Sequence, residues 1–482
     1  MNRTRVRIAA HSACLAAALA GCTVGPNYHR PSPLPTEKAI APFTVEGVEW
    51  QSATPAADAP RGDWWKVFGD ADLNRLETIA ATNNQTIVAN LAALDQARAL
   101  VRIASADFYP QLSFDPSYVR QRTSFNAVRE GKPSNAAYTY NVFALPLELG
   151  WEADLWGRVR RQTEAARARM TAASDDVQSA RLIIQAEIAG DYFTLRALDA
   201  ELKLLADTVE TYNRSLNLTR NRRQGGIASD LDVSQAETQL RTAQAQIPPV
   251  QLQRSQVQHA LAALCGQSAT DFRIPEFVSS ETSVPQLPTI LPTQLLERRP
   301  DVAAAERQMA AANADIGVAR AAFFPRLTIN GFAGLQSVSA STVISAPSRF
   351  WAVGPTVDLP IFTGGRNTAR LEATRAAYNQ TIANYRQTVV TALQDVEDQL
   401  SAQQLLITQL EGETAALKSA RRTLEVANNR YKAGLVTYLE VATAQSSALE
   451  HERTVVHLAG QQRIASVALI KALGGGWSQK SL

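Results

Sequence analysis

The chain says nearly the same thing twice. Arg222–Val233 reads Arg-Arg-Gln-Gly-Gly-Ile-Ala-Ser-Asp-Leu-Asp-Val, and 208 residues later Arg430–Val441 reads Arg-Tyr-Lys-Ala-Gly-Leu-Val-Thr-Tyr-Leu-Glu-Val. That offset needs no gap from Leu145/Val353 through Gly157/Gly365 to Gly266/Gly474. Upstream, Asp107-Phe108-Tyr109-Pro110-Gln111-Leu112 matches Ala322-Phe323-Phe324-Pro325-Arg326-Leu327 at an offset of 215, so the first copy has a longer loop. Two copies of one unit in 482 residues restrict the fold to a pseudo-symmetric assembly of paired elements.

Each copy is expected to run helix, strand, loop, strand, long helix, Gly turn, helix. Opening helices are expected at about 72–106 and 292–321, stopped by Pro110 and Pro325. Leu112 and Phe114 begin one strand; Phe143, Leu145, Leu147, Leu149 and Trp151 alternate along its partner. In the second copy Leu327 and Ile329 open a strand, and Trp351, Val353, Val357, Leu359 and Ile361 repeat the alternation. The intervening segments, about 120–137 and 335–348, have the polar composition of exposed hairpin loops.

Helices of about 158–223 and 366–431 follow, each on the order of 100 Å if unbroken. Their apolar residues fall in heptads: Ile188, Leu195, Leu198, Leu202, Leu205, Val209, Tyr212 and Leu216 outbound, and Val233, Ala236, Leu240, Ala243, Ile247, Val250, Val257, Leu261 and Leu264 on the return. Val441, Ala444, Ala448, Val455, Leu458, Ala465, Leu469 and Ala472 keep that register in the second copy. A 3.5-residue period means helices side by side with left-handed supercoiling, and one apolar seam between polar faces suits a wall wet on both sides. Pro248-Pro249 is expected to interrupt or kink the first returning helix.

Four strands of this length suit a tilted bilayer crossing, but four cannot close a barrel, and an open edge in lipid leaves backbone groups unpaired. Two chains give eight strands and an interior filled by side chains; three give twelve and room for a lumen. A conduit therefore favours a homotrimer.

The ends and the composition agree. Arg3, Arg5 and Arg7 precede an apolar stretch, Ile8 to Ala20, too short to span a bilayer. Leu19-Ala20-Gly21-Cys22 resembles the lipobox of bacterial lipoproteins, which implies a signal peptide over 1–21 and diacylglycerol plus an N-acyl chain (commonly palmitate) on Cys22. Thr23, in place of a retention aspartate, favours the outer membrane. Residues 22–62, rich in Pro, Ala and Thr, read as a lipidated extended tether. Of three cysteines, Cys14 leaves with the leader and Cys265 has no partner, so there is no disulfide framework. The formal charge of +3 falls to 0 without the leader's three arginines, which gives no basis for nucleic-acid binding.

Further segments carry a resemblance: Gly150-Trp151-Glu152-Ala153-Asp154-Leu155-Trp156-Gly157-Arg158, Arg298-Arg299-Pro300-Asp301-Val302, Ala311 through Pro325, and Pro360-Ile361-Phe362-Thr363-Gly364-Gly365-Arg366. The chain resembles the outer-membrane efflux lipoproteins of the nodulation T or OprM-like type, TolC-related outer membrane factors. That resemblance implies an α+β protein whose trimer forms a 12-stranded transmembrane β-barrel, four strands per protomer, continuous with a periplasmic α-helical coiled-coil barrel. The repeats then span 63–270 and, with a linker, 271–482. The implied role is passive conduction of drugs or toxic compounds from an inner-membrane pump, commonly of the resistance-nodulation-division class, and its periplasmic adaptor to the exterior.

The helical-hairpin tips are the candidate sites. Gly225, Gly226 and Ile227, with Gly434, Leu435 and Val436, fit either ordinary tight turns or an adaptor-docking surface; the resemblance selects docking. Asp232 and Glu440 follow the turns and fit either dipole-compensating acids or acidic rings at a periplasmic gate. The resemblance implies that Tyr431 bonds Asp232 and holds the hairpins shut. Thr443 and Val436 stand where that pattern has a second aspartate and an arginine, which points to a single acidic ring and fewer gate bonds. His29, His259, His451 and His457 have no ligand spacing, and no nucleophile or phosphate-binding motif supports an enzyme or a cofactor. A periplasmic coiled-coil scaffold would explain the heptads but not the duplicated strand pairs.

Overall fold

The structure is a computed structural model and describes residues 23–32, 62–126, 128–129, 132–133, 137–276 and 299–475. The leader, Cys22, the rest of the tether and the segment 277–298 lie outside the described residues. In chain order the elements are α1 (Ala71–Asn83), α2 (Gln85–Ala106), β1 (Gln111–Phe114), β2 (Ser117–Arg122), β3 (Val128–Arg129), β4 (Lys132–Pro133) and β5 (Thr139–Ala153). Then come α3 (Arg158–Gln224), α4 (Asp230–Leu264), α5 (Pro300–Ala321), β6 (Arg326–Ser337), β7 (Arg349–Asp358), α6 (Arg366–Lys432) and α7 (Tyr438–Ala472). The repeat is literal in the helices: α3 and α6 each have 67 residues, and α4 and α7 each have 35.

The chain divides into two compact units. One contains 23–32, Leu94–Ala173 and Ala305–Tyr385. Its antiparallel sheet has the order β1-β5-β6-β7, with β2 also on β5. Gln111 faces Gly150 and Ser117 faces Ala144 in one unbroken register, so β1 and β2 are a single strand position interrupted at Asp115-Pro116. Proline cannot donate to the ladder, which explains the interruption. Four strand positions result, as the alternation predicts.

Register sorts the side chains by face. Leu112, Leu149, Gly331 and Val353 form one cross-strand row, and Phe114, Leu147, Ala333 and Trp351 the next. On the opposite face lie Ser113, Glu148, Gln111 and Asn330, with Phe332 among them. The apolar face is uncovered: Trp351 is 77% exposed and Val353 67%. An apolar face of this extent turned to solvent marks a membrane or protein contact. Among the described residues no helix is long and apolar enough to cross a membrane.

The start of the expected tether is instead held down within this unit. Val24 N–H donates to Trp156 O (3.0 Å), Asn313 donates to Pro26 O (3.1 Å), and Arg161 donates to Asn27 (2.9 Å). Tyr28 donates to Glu306, and Arg30 reaches the Tyr385 hydroxyl at 3.0 Å. The approach requires glycine: a Cβ on Gly25 would stand 2.6 Å from Gly317 Cα, and one on Gly157 would collide with Thr23. Residues 23–32 are thus extended but not free.

The second unit takes the described parts of 33–93, 174–304 and 386–482. Its largest core packs Trp64, Trp65 and Phe68 of a 3-10 turn, and Leu73, Leu76 and Ala80 of α1, against Leu182, Ile188, Tyr192 and Phe193 of α3. Leu261 of α4 and Val467 and Ile470 of α7 close it. The expected helix 72–106 is broken at Asn84, whose side-chain Oδ1 accepts Thr86 N–H (2.9 Å) and Ile87 N–H (3.1 Å) and restarts the chain as α2. Its amide also donates to Leu264 O at 2.8 Å, so the break is tied to the end of α4. No break occurs at Pro248-Pro249: α4 stays helical through both, with Ala243 and Val250 buried on either side. Packing there outweighs the roughly 3 kcal/mol a helix-interior proline costs.

Heptad positions form the buried seam, with Leu202, Val209, Val233, Ile247 and Val257 half-buried along it. Ile188, Leu195, Leu205, Leu216, Ala236, Ala243, Leu261, Val441, Leu458 and Leu469 are all buried. Between them Arg196 (2.9 Å) and Arg254 (2.6 Å) converge on fully buried Asp199, and the same arginines bind Pro275 O and Ile274 O. A buried carboxylate satisfied on both sides stabilises this arrangement where a lone one would not.

Candidate functional site

Both helical hairpins turn with the same bonds. Ile227 N–H reaches Arg222 O (2.8 Å) and Gly226 N–H reaches Arg223 O (2.9 Å); Leu435 to Arg430 O (2.9 Å) and Gly434 to Tyr431 O (2.9 Å) repeat them. This is the Schellman arrangement, which needs a left-handed residue. Gly226 and Gly434 supply it at φ 73° and 77°, whereas Gly225 does not adopt positive φ.

The turns leave apolar side chains outside. Ile227 is 68% and Leu435 69% exposed, and Leu231 and Leu439, four residues on, are exposed with them. Val436 differs from its expected place on the docking surface: it is half-buried and packs on the core beneath the tips. Leu231 and Leu439 were missed by the sequence reading; their i+4 spacing from the turn hydrophobes, one helical turn later, could have found them.

Below the tips, Tyr212 and Leu216 of α3, Ala236 and Leu240 of α4, Tyr431 of α6 and Tyr438 and Val441 of α7 form one buried cluster. It joins hairpin α3–α4 to hairpin α6–α7. Tyr431 and Tyr438 meet edge to face with centroids 5.4 Å apart. The Tyr438 hydroxyl donates to Gln445 (3.2 Å), whose amide donates to Ser215 (3.4 Å).

The polar ties across the hairpins differ from the expected one. Tyr431 donates its hydroxyl to Thr219 (3.3 Å), not to Asp232. Asp232 instead serves two helices. Its Oδ2 accepts Ser229 N–H (2.9 Å) and the Ser229 hydroxyl (2.8 Å), completing a capping box for α4. Its Oδ1 accepts Tyr438 N–H (3.1 Å) at the first residue of α7, whose own N-cap, Thr437, makes no side-chain capping bond. Partial burial pushes the Asp232 pKa up, but the Ser229 and Tyr438 bonds and the Arg222 charge outweigh it and hold the carboxyl below its ordinary value.

Arg222 is the second tie. Its Nη1 donates to Lys432 O (2.8 Å) while its guanidinium lies 4.9 Å from the Tyr431 ring centroid. Glu440 stays inside its own hairpin, 3.7 Å from Arg430, as Asp230 does at 2.7 Å from Arg223. The structure thus brings Asp232, Tyr431, Arg222 and Tyr438 to one locus and leaves Glu440 on its rim. Arg222 and Tyr438 escaped the sequence reading, although the repeat aligns Arg222 with Arg430.

Further along these helices a recess of about 510 Å³ is lined by Glu201, Tyr212, Gln246, Glu450, Arg453 and His457. Arg453 bonds Glu201 (2.6 Å) and Gln246 (3.4 Å) across it. Its lining is mixed, with Thr242, Ser446 and Thr454 beside the charged groups.

Comparison with known proteins follows the same duplication. Residues 78–267 and 291–475 each match the family described as outer membrane efflux protein. Outer membrane protein OprJ of Pseudomonas aeruginosa is 34% identical over 467 residues, covering 96% of this chain and 95% of its own. The probable outer membrane lipoprotein SilC of Salmonella typhimurium is 29% identical over 462 residues, covering 95% and 96%. The solved structure of the outer-membrane channel OprN superposes with a TM-score of 0.85 at 30% identity, over 95% of this chain and all of that one.

Proposed function

The chain belongs to the outer membrane efflux protein family, and from that membership we propose that it is the outer-membrane conduit of a tripartite efflux system. Three copies close a twelve-stranded barrel, and their helical hairpins continue it through the periplasm. Solutes enter from an inner-membrane pump, of the resistance-nodulation-division class, through a periplasmic adaptor, and leave passively. The observation that carries this reading is the sheet: four strand positions in one register, apolar and uncovered on one face and largely polar on the other. The chain acts as a channel and not as an enzyme. The two matched stretches support a division into repeats at 63–270 and 271–482.

The periplasmic mouth is gated at the tips. Asp232 and Glu440 line it with buried Tyr431 behind them, and threefold symmetry multiplies the carboxylates into a single acidic ring that attracts cations. Opening separates the two hairpins of each chain, which breaks the Asp232–Tyr438 cap, lifts Arg222 from Lys432 O and frees Tyr431 from Thr219. Gly225, Gly226, Ile227, Gly434, Leu435 and Val436 shape the adaptor-docking tips, with Ile227 and Leu435 as contact residues and Val436 as their support. Cys22 carries the lipid, in keeping with the lipoprotein SilC.

The test is cellular. A strain lacking this gene should lose resistance to a panel of drugs and toxic compounds and regain it from the cloned gene. The protein should fractionate with the outer membrane and run unheated as an SDS-resistant trimer. A soluble monomer with no effect on susceptibility contradicts the proposal.

A further inference from the structure

The turns that lead from the sheet into the long helices differ between the copies in charge and in cover. In copy one Arg158 donates to Glu152 (2.8 and 2.9 Å) and Arg160 donates to Asp154 (3.2 Å). The repeat puts Pro360 and Phe362 in place of the two acids, and Arg366 and Thr368 in place of the two arginines. No acid occurs from Leu359 to Arg370. Arg366 and Arg370 stand one turn apart on α6, both exposed, and among the described residues neither has an ion-pair partner. Copy one's turn is covered by the chain itself: Val24 N–H bonds Trp156 O, and a Cβ on Gly157 would stand 2.4 Å from Thr23. Gly364 and Gly365 are the equivalents in copy two, with φ of 58° and 81°, and a Cβ on either would meet nothing within 4 Å.

We propose that the open turn of copy two is a site for an anionic phospholipid, with Arg366 and Arg370 on its phosphodiester and Ile361 and Phe362 along its acyl chains. The proposal rests on the outer-membrane conduit argued above and adds the lipid class that this turn selects.

Continuity with the sheet selects a lipid over a soluble anion. Trp351, Val353, Val357, Leu359 and Ile361 share one parity, so Ile361 ends the apolar stripe of β7 and Arg366 follows five residues later. Ile361 is 92% and Phe362 89% exposed, and a bare phosphate on the arginines would leave both in water. A molecule with an acyl part and a charged head satisfies the two chemistries together. The dimensions agree: Arg366 and Arg370 are about 6 Å apart along their helix, and one headgroup layer is about 5–7 Å deep.

Charge selects an anionic head over a zwitterionic one. Two guanidinia fit phosphate oxygens in forked bonds, and a turn without an acid offers nothing to a choline cation. Each arginine near an anionic surface is worth about fivefold in binding, so the pair supplies roughly twentyfold. Copy one cannot do the same, because Glu152 and Asp154 hold its arginines and Thr23 fills its turn. The repeat therefore gives one such site per chain.

The test titrates the full-length trimer, stripped of free lipid in detergent, with phosphatidylglycerol or phosphatidylcholine and counts bound lipid by native mass spectrometry. The unsubstituted trimer should prefer phosphatidylglycerol by roughly twentyfold, and Arg366→Gln/Arg370→Gln should reduce that preference to about twofold or less. Arg366→Lys/Arg370→Lys should keep most of it, and Phe362→Ala should weaken binding of both lipids. Arg214→Gln/Lys418→Gln, the same change of charge elsewhere on the helices, should leave the preference intact. A preference that survives the loss of Arg366 and Arg370, or falls equally in the distant pair, overturns the site and leaves the conduit standing. Displacement of phosphatidylglycerol by inorganic phosphate at equal concentration overturns the lipid and leaves an anion site. Absence of an unheated trimer in the unsubstituted protein overturns the conduit reading itself, and the lipid site with it.

Discussion

Asp232, in the first turn of α4, accepts the backbone N–H of Tyr438 at the start of α7, so the first helical hairpin caps a helix of the second. The relation is one-way. Glu440, the repeat equivalent of Asp232, turns back to Arg430 in its own hairpin. A duplicated chain has thus kept its symmetry in the helix lengths and lost it where its two hairpins meet.

The Arg222 tie should matter more than the Tyr431 hydroxyl. Tyr431→Phe removes one neutral hydrogen bond, about 1 kcal/mol, and keeps the ring under the guanidinium. Arg222→Ala removes both a charge-assisted bond and a cation–π contact, together roughly 2–4 kcal/mol. Bilayer recordings should show a clearly larger open fraction for Arg222→Ala than for Tyr431→Phe. Equal open fractions would count against a gate held by Arg222.

Acid should loosen the same contact. The Asp232 carboxyl is held below its ordinary value, so its contribution is complete above that value and is lost as pH falls through the lowered one. Conductance should stay level from neutral pH down to about 4, the ordinary carboxylate range, and rise only below it. Asp232→Ala should abolish that acid limb. A limb that survives in the variant belongs to another group.

Much of this was legible in the sequence because it is carried by period and spacing. The strand alternation from Phe143 to Trp151, the heptads and the glycines of the turns each follow from one local rule. What was not legible depends on contacts distant in sequence. Asn84 breaks its helix by capping α2 and bonding Leu264 O, 180 residues away. Tyr431 and Asp232 are both at the site, but which acceptor each finds is settled by how two hairpins pack. Val436 looks exposed in a turn and is half-buried against the cluster that joins the two hairpins. The proline pair does not end its helix, with Ala243 and Val250 buried on either side of it.

Glu77 offers a test of the helical unit's core. It is 1% exposed, and its carboxyl oxygens have no protein partner among the described residues. Burial, helped by the charge of Asp63, pushes its pKa up to about 9. The folded chain therefore binds this proton where the unfolded chain releases it, and stability falls as pH rises from about 4 toward 9. Glu77→Gln should melt higher than the parent at pH 8, with the gap closing toward pH 5. A gap that does not change with pH would show that Glu77 is not protonated in the fold.

The pinned N-terminal segment should depend on glycine. Gly157 has φ +80° and no room beside Thr23. Gly157→Ala should cost on the order of 1–3 kcal/mol and release residues 23–32, seen as new protease cleavage before Pro33. Gly226→Ala, strained by φ alone with open space around it, should leave that segment protected.

Single-channel recording of the purified trimer, unsubstituted and as Asp232→Ala, bears most directly on the conduit and its mouth. The unsubstituted protein should give discrete, small conductance steps, and removal of the cap on α7 should enlarge them several-fold. Trimer that inserts but conducts identically in both forms would remove Asp232 from the gate, and trimer that never conducts would contradict the channel.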